Sequence, residues 1–287
     1  MTRLALLLLP LICLVLPAAA EEPPRVVSIG GDLTEIVYTL GAGAMLVGVD
    51  TTSTWPAEAD GLAKVGYMRQ LAVEGILSLA PDLVLAAGDA GPASVLERLA
   101  QAGVDVRVAP NDASVAGVVE KIRFVGDALG RSAEAEDAVA RFAAEMAEVE
   151  TAVANVAVHP RVLFLISAAS GSLMAAGTGT SADAIIVLAR GTNAVAGFAG
   201  YKPVNAEAMI AAAPDMLLLP SHAVAEPGRL EAILSDPALA ATPAVRNQQV
   251  VVIDSLLLLG FGPRTPQAVM ELARALHQDL AADPDGP

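Results

Sequence analysis

Two stretches of this chain, LAVEGILSLAPDLVLAAG (Leu71–Gly88) and VNAEAMIAAAPDMLLLPS (Val204–Ser221), share one pattern, and this pattern indicates the fold class. In each stretch a short helical segment is followed by an Ala-Pro-Asp turn and then by an apolar run of strand length. Each helical segment carries a glutamate at the same place, Glu74 in the first and Glu207 in the second. We therefore interpret the chain as a duplicated βα unit with one copy in each half.

The segments around the two stretches alternate in the same way. In the first half, strand-like runs at Arg25–Gly30, Leu46–Val49 and Leu83–Ala87 alternate with helical patterns. The second half opens with a matching strand at Arg161–Ser167 and ends with a predicted helix at Pro266–Leu280. This order predicts an α/β protein with two Rossmann-like lobes, each built on a central, mostly parallel sheet with helices on both faces.

A long tract of good helix formers separates the two halves. We expect it to contain one long α-helix that joins the lobes as a stiff strut, with a ligand cleft between them and little lobe movement. The predicted divisions are a signal peptide at 1–20, an N-terminal lobe at 21–113, a helical segment at 114–157 and a C-terminal lobe at 158–287.

The N-terminus predicts export. Arg3 precedes an apolar run at Leu4–Leu16, which is shorter than the ~20 residues of a membrane span. Ala18 and Ala20 form an A-x-A site, so we predict cleavage after Ala20 and a periplasmic location, with an uncleaved anchor as the alternative. The single cysteine, Cys13, lies in this leader, so the predicted mature chain has no disulfide and no thiolate metal site.

The net charge and the sequence motifs limit the classes of function that the protein can have. The formal net charge of -15 argues against nucleic acid or an anionic lipid surface as a partner. The sequence contains no G-x-S-x-G, H-E-x-x-H or P-loop pattern, so we predict a binding protein rather than an enzyme. The turns GGDLTE and GTGTSA lack the full G-x-G-x-x-G pattern and are interpreted as tight turns before helices.

Open α/β sheets bind ligands beyond the carboxyl ends of their strands. The loops expected there are Gly30–Asp32, Ala87–Gly91, Pro110–Asp112, Ala168–Gly179, Pro220–Glu226 and Ser255–Arg264. The Gly66-Tyr67 and Gly200-Tyr201 pairs precede the duplicated helices and should face the same cleft. Among the three histidines, His222 follows a strand at this edge, whereas His159 and His277 are expected on the surface.

Tyr67 has two interpretations. Its ring can pack against the cleft wall and its hydroxyl can form a hydrogen bond, or its phenolate oxygen can bind ferric iron, since tyrosine is a known haem ligand. A free tyrosine has a pKa near ~10, so a coordinating phenolate at neutral pH needs a nearby cation. Arg69, two residues on, can supply that charge.

The sequence from Arg25 to Ala86 and the motifs GTGTSADAIIVLARGTNAV, GYKPVNAEAMIAAAPD and GFGPRTPQAV resemble the periplasmic haem-binding proteins of bacterial haem-uptake ABC transporters. The similarity covers nearly all of the predicted mature chain, and carriers of vitamin B12 and siderophores share the wider fold. The haem assignment rests on GYMRQL and GFGPRT. The resemblance implies that ferric haem b is a transported ligand, that Tyr67 is its axial ligand and that Arg69 supports the phenolate.

The resemblance leaves the number of haems open. Some members hold a second stacked haem through a histidine of the second lobe, but the stretch SAASGSLMAAGTGTS has a methionine and no histidine. One haem, or a second with an unusual ligand, are both compatible with the sequence. The second-lobe candidates are Met174, Tyr201 and His222, and for each a position in the pocket wall is the alternative.

Haem also carries two propionates and two flat faces. Arg264 and Lys202 are the candidates for binding the propionates, with a structural role as the alternative for Arg264. Phe198 and Phe261 are the candidates for flanking the porphyrin, with ordinary core positions as the alternative.

The resemblance also implies partners. In that family one surface glutamate on each lobe pairs with permease arginines, and Glu74 and Glu207 align with this pattern; a favourable contact with the helix dipole is the alternative. The implied partners are an inner-membrane ABC permease dimer with its ATPase, and an outer-membrane haem receptor upstream. A carrier of cobalamin or of a ferric siderophore is the alternative function, and a secreted haem-processing enzyme is less favoured.

Overall fold

The computed structural model describes residues 23–167 and 173–281. The predicted signal peptide with Cys13 and part of the SAASGSLMAAGTGTS stretch lie outside the described residues. The strands β1 to β11 are Val26–Ile29, Leu46–Val49, Ala63–Lys64, Leu83–Ala86, Asp105–Val108, Arg161–Ser167, Leu173–Ala176, Thr192–Asn193, Tyr201–Pro203, Met216–Pro220 and Val250–Ile253. The helices α1 to α13 are Gly31–Thr39, Val73–Leu77, Ala93–Gln101, Val115–Ala128, Ser132–Val153, Ser181–Leu188, Ala206–Ala212, Arg229–Leu234, Pro237–Ala240, Pro243–Arg246, Ser255–Leu259, Thr265–Leu276 and Gln278–Ala281. None of the helices in this part of the chain is long and apolar enough to cross a membrane.

The first lobe is a parallel sheet in the strand order β3-β2-β1-β4-β5. The first helix of this lobe, α1, illustrates why the sequence pattern was enough to predict a helix. Leu33, Ile36 and Val37 recur at helical spacing and are fully buried. Gly41, with a φ of 68°, follows the helix in the left-handed conformation that glycine adopts easily.

The second lobe has a mixed sheet in the strand order β11-β10-β6-β7-β9, with β8 paired to β6. The strands β10 and β11 are parallel to their neighbours as predicted, but β7 and β9 run antiparallel. Only residues 168–172 separate β6 from β7, whereas a parallel pair needs a crossover of about a dozen residues. This antiparallel layer, which the sequence did not reveal, carries Tyr201 at the start of β9.

The duplication extends to individual hydrogen bonds. The backbone N–H of Arg25 donates to Asp82 Oδ2 at 2.8 Å, and the backbone N–H of Arg161 donates to Asp215 Oδ2 at 2.8 Å. Each arginine side chain also donates to a carbonyl near the end of the duplicated helix, namely that of Leu79 and that of Ala212. The same frame therefore closes the helix–turn–strand unit in both lobes.

The helical segment contains the predicted long helix, α5, and a shorter helix, α4, before it. α4 ends near Gly130, whose φ of 65° allows the turn, and α5 continues for 22 residues. Phe142 and Met146 on α5 belong to one hydrophobic core that also contains Leu33 of the first lobe and Leu258 of the second. The lobes thus share a continuous core along α5, as a stiff connection requires.

The last predicted helix, Pro266–Leu280, is interrupted. His277 has an extended backbone between α12 and α13, and its Nε2 lies 3.0 Å from the Ala189 carbonyl oxygen. Its side chain is buried, so the expectation that His277 lies on the surface was wrong. His159 is exposed, and its Nδ1 lies 2.9 Å from the Arg190 carbonyl oxygen.

Candidate ligand-binding site

Tyr67 lies on a loop that backbone hydrogen bonds hold in place. Gly66 has a φ of 101°, a conformation that favours glycine. The N–H of Thr51 donates to the Gly66 carbonyl at 2.9 Å, and the N–H of Gly91 donates to the Met68 carbonyl at 2.8 Å. The Tyr67 side chain remains 39% exposed, so the loop presents its phenol at a fixed place on the surface.

Arg69 connects the Tyr67 phenol to a carboxylate. Its Nη1 donates to Tyr67 Oη at 3.3 Å, and its Nε donates to Asp89 Oδ2 at 3.1 Å, with a second contact from Nη2 to the same oxygen. Partial burial lowers the pKa of Arg69, but Asp89 and, more weakly, Tyr67 raise it above its ordinary value overall. Asp89 therefore holds the Arg69 cation within hydrogen-bonding distance of the Tyr67 phenol.

Sequence reasoning missed Asp89, although a signal was available. It is the only charged residue in the loop Ala87–Gly91, which follows β4 at the carboxyl edge of the sheet. A lone carboxylate in a loop expected at the cleft is a natural partner for a nearby arginine.

Tyr201 has different surroundings in the second lobe. Its hydroxyl hydrogen-bonds with the Thr180 side chain and the Ala182 backbone, and its ring meets the Phe164 ring edge-on at 6.3 Å between centroids. Burial raises the pKa of Tyr201, while the charge of Arg69 and the two hydrogen bonds oppose this rise. The Arg69 charge of the first lobe reaches the Tyr201 phenol of the second, so the two tyrosines lie near each other; that both Gly-Tyr segments face one ligand cleft stays a prediction.

Phe198 and Lys202 lie together beside Tyr201. Lys202 Nζ is 5.5 Å from the centre of the Phe198 ring. Both residues line an open, largely apolar pocket of about 370 Å³ together with Pro203 and Asn205. Pro203 pairs in the sheet with Met174 of β7, which is half-buried.

His222 lies just after β10, at the carboxyl edge of the second sheet. Its Nδ1 is 2.6 Å from Ser255 Oγ, which also accepts the His222 backbone N–H at 3.0 Å. Burial lowers the pKa of His222, so its ring is neutral at physiological pH.

Arg264 and Phe261 lie at the seam between the lobes. The Arg264 guanidinium forms an ion pair with buried Glu35 of α1, and it lies 4.6 Å from the centre of the Trp55 ring. The propionate role of Arg264 stays a prediction, and its charge is already engaged. Phe261 is only 2% exposed and packs in the shared core, which favours the core position that was the alternative to flanking the porphyrin.

A second buried ion pair strengthens the seam. Lys121 of α4 donates to Asp32 Oδ2 at 2.6 Å and to the Gly260 carbonyl of the second lobe at 3.2 Å. A Cβ on Gly262 would lie 3.0 Å from Glu35 Oε2. Gly262 of the GFGPRT motif therefore allows the second lobe to approach α1 closely.

The fold and these residues can be compared with known proteins. A family described as Periplasmic binding protein matches residues 26–257. The chain belongs to this family. RhuT, a periplasmic haem-binding protein from Roseiflexus sp. RS-1 solved in its apo form, is 38% identical with a TM-score of 0.87, and the match covers 90% of this chain and 100% of RhuT.

Two further relatives show the range of this family. BhuT, a periplasmic haem-binding protein solved with two haems, is 42% identical with a TM-score of 0.84, over 90% of this chain and 100% of BhuT. The vitamin B12-binding protein of Vibrio parahaemolyticus is 28% identical over 93% of this chain and 94% of its own length. The predicted two-lobed α/β fold and the resemblance to periplasmic haem-binding proteins are confirmed.

The periplasmic binding protein exposes both duplicated glutamates. Glu74 lies in the first turn of α2 and Glu207 in the first turn of α7, and both side chains are exposed. Within residues 23–167 and 173–281, no group of three or more His, Cys, Asp or Glu side chains could hold a metal ion.

Proposed function

We propose that this periplasmic binding protein captures ferric haem in the cleft between its lobes through the Tyr67 phenolate. The observation that carries the proposal is the exposed Tyr67 phenol on a fixed loop, with Arg69 donating to its oxygen and Asp89 holding Arg69. A single phenolate suits an iron that already has four porphyrin nitrogens. The similarity to the haem-binding proteins RhuT and BhuT supports haem as the cargo.

The second lobe would contribute the opposite wall. Lys202 is an exposed cation beside Phe198, so the pair can receive a propionate and a porphyrin edge. Met174, Tyr201 and His222 are the second-lobe groups from which a further iron ligand could come. The end point of a haem titration counts the haems that the protein holds.

A titration tests the cargo. Purified protein is titrated with haemin, with cobalamin and with a ferric siderophore, and the visible spectrum is recorded. We expect saturable binding of haemin with a high-spin ferric spectrum and no saturable binding of the other two. Cobalamin is the second candidate, because relatives over nearly the full length are vitamin B12-binding proteins; preferential cobalamin binding would replace haem in the proposal.

We further propose that the protein acts as a carrier and not as an enzyme. The signal peptide at 1–20 would be cleaved to release it into the periplasm. Mass spectrometry of the periplasmic protein should then find Glu21 at the N-terminus. Haem recovered after prolonged incubation should be chemically unchanged, and a breakdown product would favour the enzyme alternative.

Delivery would end at an inner-membrane ABC permease dimer with its ATPase, with an outer-membrane haem receptor supplying the periplasm. Glu74 and Glu207 are the proposed contacts, because a dimeric permease can offer the same basic pocket to both lobes. We expect the double variant Glu74→Ala/Glu207→Ala to bind haem normally and to fail in stimulating the ATPase of reconstituted permease. Normal stimulation of the ATPase would mean that both residues serve only as favourable charges at the starts of their helices.

A further inference from the structure

Each lobe exposes an aliphatic side chain one turn after its duplicated glutamate. Leu77 follows Glu74 by three positions on α2 and is 36% exposed. Ile210 follows Glu207 by three positions on α7 and is 51% exposed. Because residues three apart lie on one helix face, each helix presents a carboxylate and an aliphatic group side by side. We call Glu74 with Leu77 and Glu207 with Ile210 the rim patches.

The core does not need these aliphatic groups. The preceding residues, Ile76 and Met209, are 0% and 4% exposed and attach the two helices to their lobes. A single exposed aliphatic residue needs no explanation. Here the same exposed group recurs at the equivalent position of both copies, beside the same charge.

The rim patches lie at the mouth of the cleft. α2 precedes β4, and α7 precedes β10, so each helix runs back from the carboxyl edge of its sheet toward the start of the next strand. The beginnings of both helices therefore lie beside the Gly66-Tyr67 and Gly200-Tyr201 loops. A partner that covers both rim patches would face the ligand opening directly.

We infer that Leu77 and Ile210 are the apolar anchors by which the protein docks on a twofold-symmetric membrane protein dimer. Each subunit of that dimer would present a basic side chain next to an apolar pocket, and one subunit would take each rim patch. The inference rests on the proposed delivery function and deepens it. It is supported by charge: the protein carries a net charge of -15, and neither glutamate takes part in an ion pair within the described residues.

The two kinds of side chain would affect different rate constants. Rim charges steer the encounter, so Glu74 and Glu207 set the association rate and its dependence on salt. Buried apolar anchors act after docking, so Leu77 and Ile210 set the dissociation rate. On a purely electrostatic docking surface, by contrast, Leu77 and Ile210 would not affect the dissociation rate.

The test measures docking kinetics on the cognate haem permease with its ATPase, reconstituted in nanodiscs, at low and high ionic strength. Leu77→Ser/Ile210→Ser should dissociate at least about tenfold faster while keeping the salt dependence of wild type. Glu74→Ala/Glu207→Ala should associate more slowly and lose most of that salt dependence. Val158→Ser/Val187→Ser, which changes two residues that are 70% and 59% exposed outside the rim patches, should behave as wild type.

An unchanged dissociation rate in Leu77→Ser/Ile210→Ser would overturn the inference, as would an equal effect in the valine control. Haem titration of every variant reports separately on the cargo site. Wild type that binds haem but does not dock through the rim patches would overturn this inference alone. Wild type that docks through the rim patches but does not bind haem would overturn the cargo proposal alone.

Discussion

The two Gly-Tyr pairs recur at equivalent places in the two halves of the chain and differ in backbone structure and in what surrounds the phenol. In the first lobe, Tyr67 receives a hydrogen bond from Arg69, which Asp89 holds. In the second lobe, Tyr201 hydrogen-bonds with Thr180 near the start of α6 and packs edge-on against an aromatic ring. Both tyrosine residues are 39% exposed, so the total exposed area of the residue does not distinguish them.

The difference lies in the charge next to each oxygen. Arg69 donates a hydrogen bond directly to the Tyr67 oxygen, whereas at Tyr201 it contributes only its charge, and burial raises the pKa of Tyr201. The duplicated βα unit thus places one tyrosine in each lobe, in two different surroundings. We infer that Tyr67 binds iron and that Tyr201 mainly forms the opposite wall of the cleft.

The largest expected effect compares the two tyrosines directly. Tyr67→Phe keeps the ring and removes the oxygen, so the high-spin phenolate spectrum should disappear and haem affinity should fall at least about a hundredfold, or roughly 2.7 kcal/mol. Tyr201→Phe should keep the spectrum and lose less than about fivefold in affinity. Haemin titration followed by visible absorption measures both.

The opposite ranking would break the comparison. If Tyr201→Phe abolished the phenolate spectrum and Tyr67→Phe did not, the second lobe would supply the axial ligand. Equal, large losses in both variants would mean that the two phenols bind iron together.

The second prediction concerns the frame that the lobes share. Asp82→Ala and Asp215→Ala each remove the acceptor of an equivalent backbone N–H bond at 2.8 Å. Each should lower the free energy of unfolding by about 1 kcal/mol, because one hydrogen bond is lost near the surface. Since the two sites lie in different lobes, the double variant should lose the sum.

Urea unfolding of the two single variants and the double variant checks this. If only one of the two single variants lost stability, the two duplicated hydrogen bonds would be equal in geometry but unequal in energy. Haem binding by both single variants should be unchanged, since neither aspartate contacts the cleft loops.

The third prediction addresses the charge beside the first phenol. Arg69→Ala removes the cation that donates a hydrogen bond to the proposed iron ligand, the Tyr67 oxygen. Arg69→Ala should therefore release haem on acidification at a midpoint about 0.5 pH unit higher than wild type, equivalent to roughly 0.7 kcal/mol. Arg69→Lys keeps the charge and should lie between the two, and an unchanged midpoint in Arg69→Ala would assign Arg69 to loop structure alone.

Much of the fold followed from local sequence, because its signals lie within single elements. The spacing of Leu33, Ile36 and Val37 predicts α1, and an apolar run predicts β4. The antiparallel strands β7 and β9 could not be predicted this way, since their direction depends on a short connection and on pairing with a distant strand.

The site was predictable only in part, for the same reason. The spacing of Tyr67 and Arg69 is local and indicated their contact. The partner of Arg264 is Glu35, at the other end of the chain, so the GFGPRT motif gave no sign of its role at the seam. Phe261 was a pocket candidate because it lies in a loop. In a loop, the sequence shows no periodic pattern that would indicate burial among residues of both lobes.

The smallest expected effect lies at this seam between the lobes. Burial raises the pKa of Glu35 above its ordinary value of 4.5, and the hydrogen bond and charge of Arg264 offset this only in part. Between the ordinary value and the raised value the folded protein binds more protons than the unfolded chain. Stability from this group is therefore fully present below the ordinary value and falls as the pH rises through that window.

Glu35→Gln cannot lose a proton and should lack this dependence, so the stability of wild type relative to the variant should decrease as the pH rises. Trp55, the single tryptophan, lies over Arg264 at the seam, so its fluorescence can follow urea unfolding at each pH. Glu120→Gln, which changes an exposed glutamate on α4, is the control for charge alone. A relative stability that increases with pH would mean that the ion pair with Arg264 outweighs the cost of burying Glu35, and that the seam holds the two lobes together by charge.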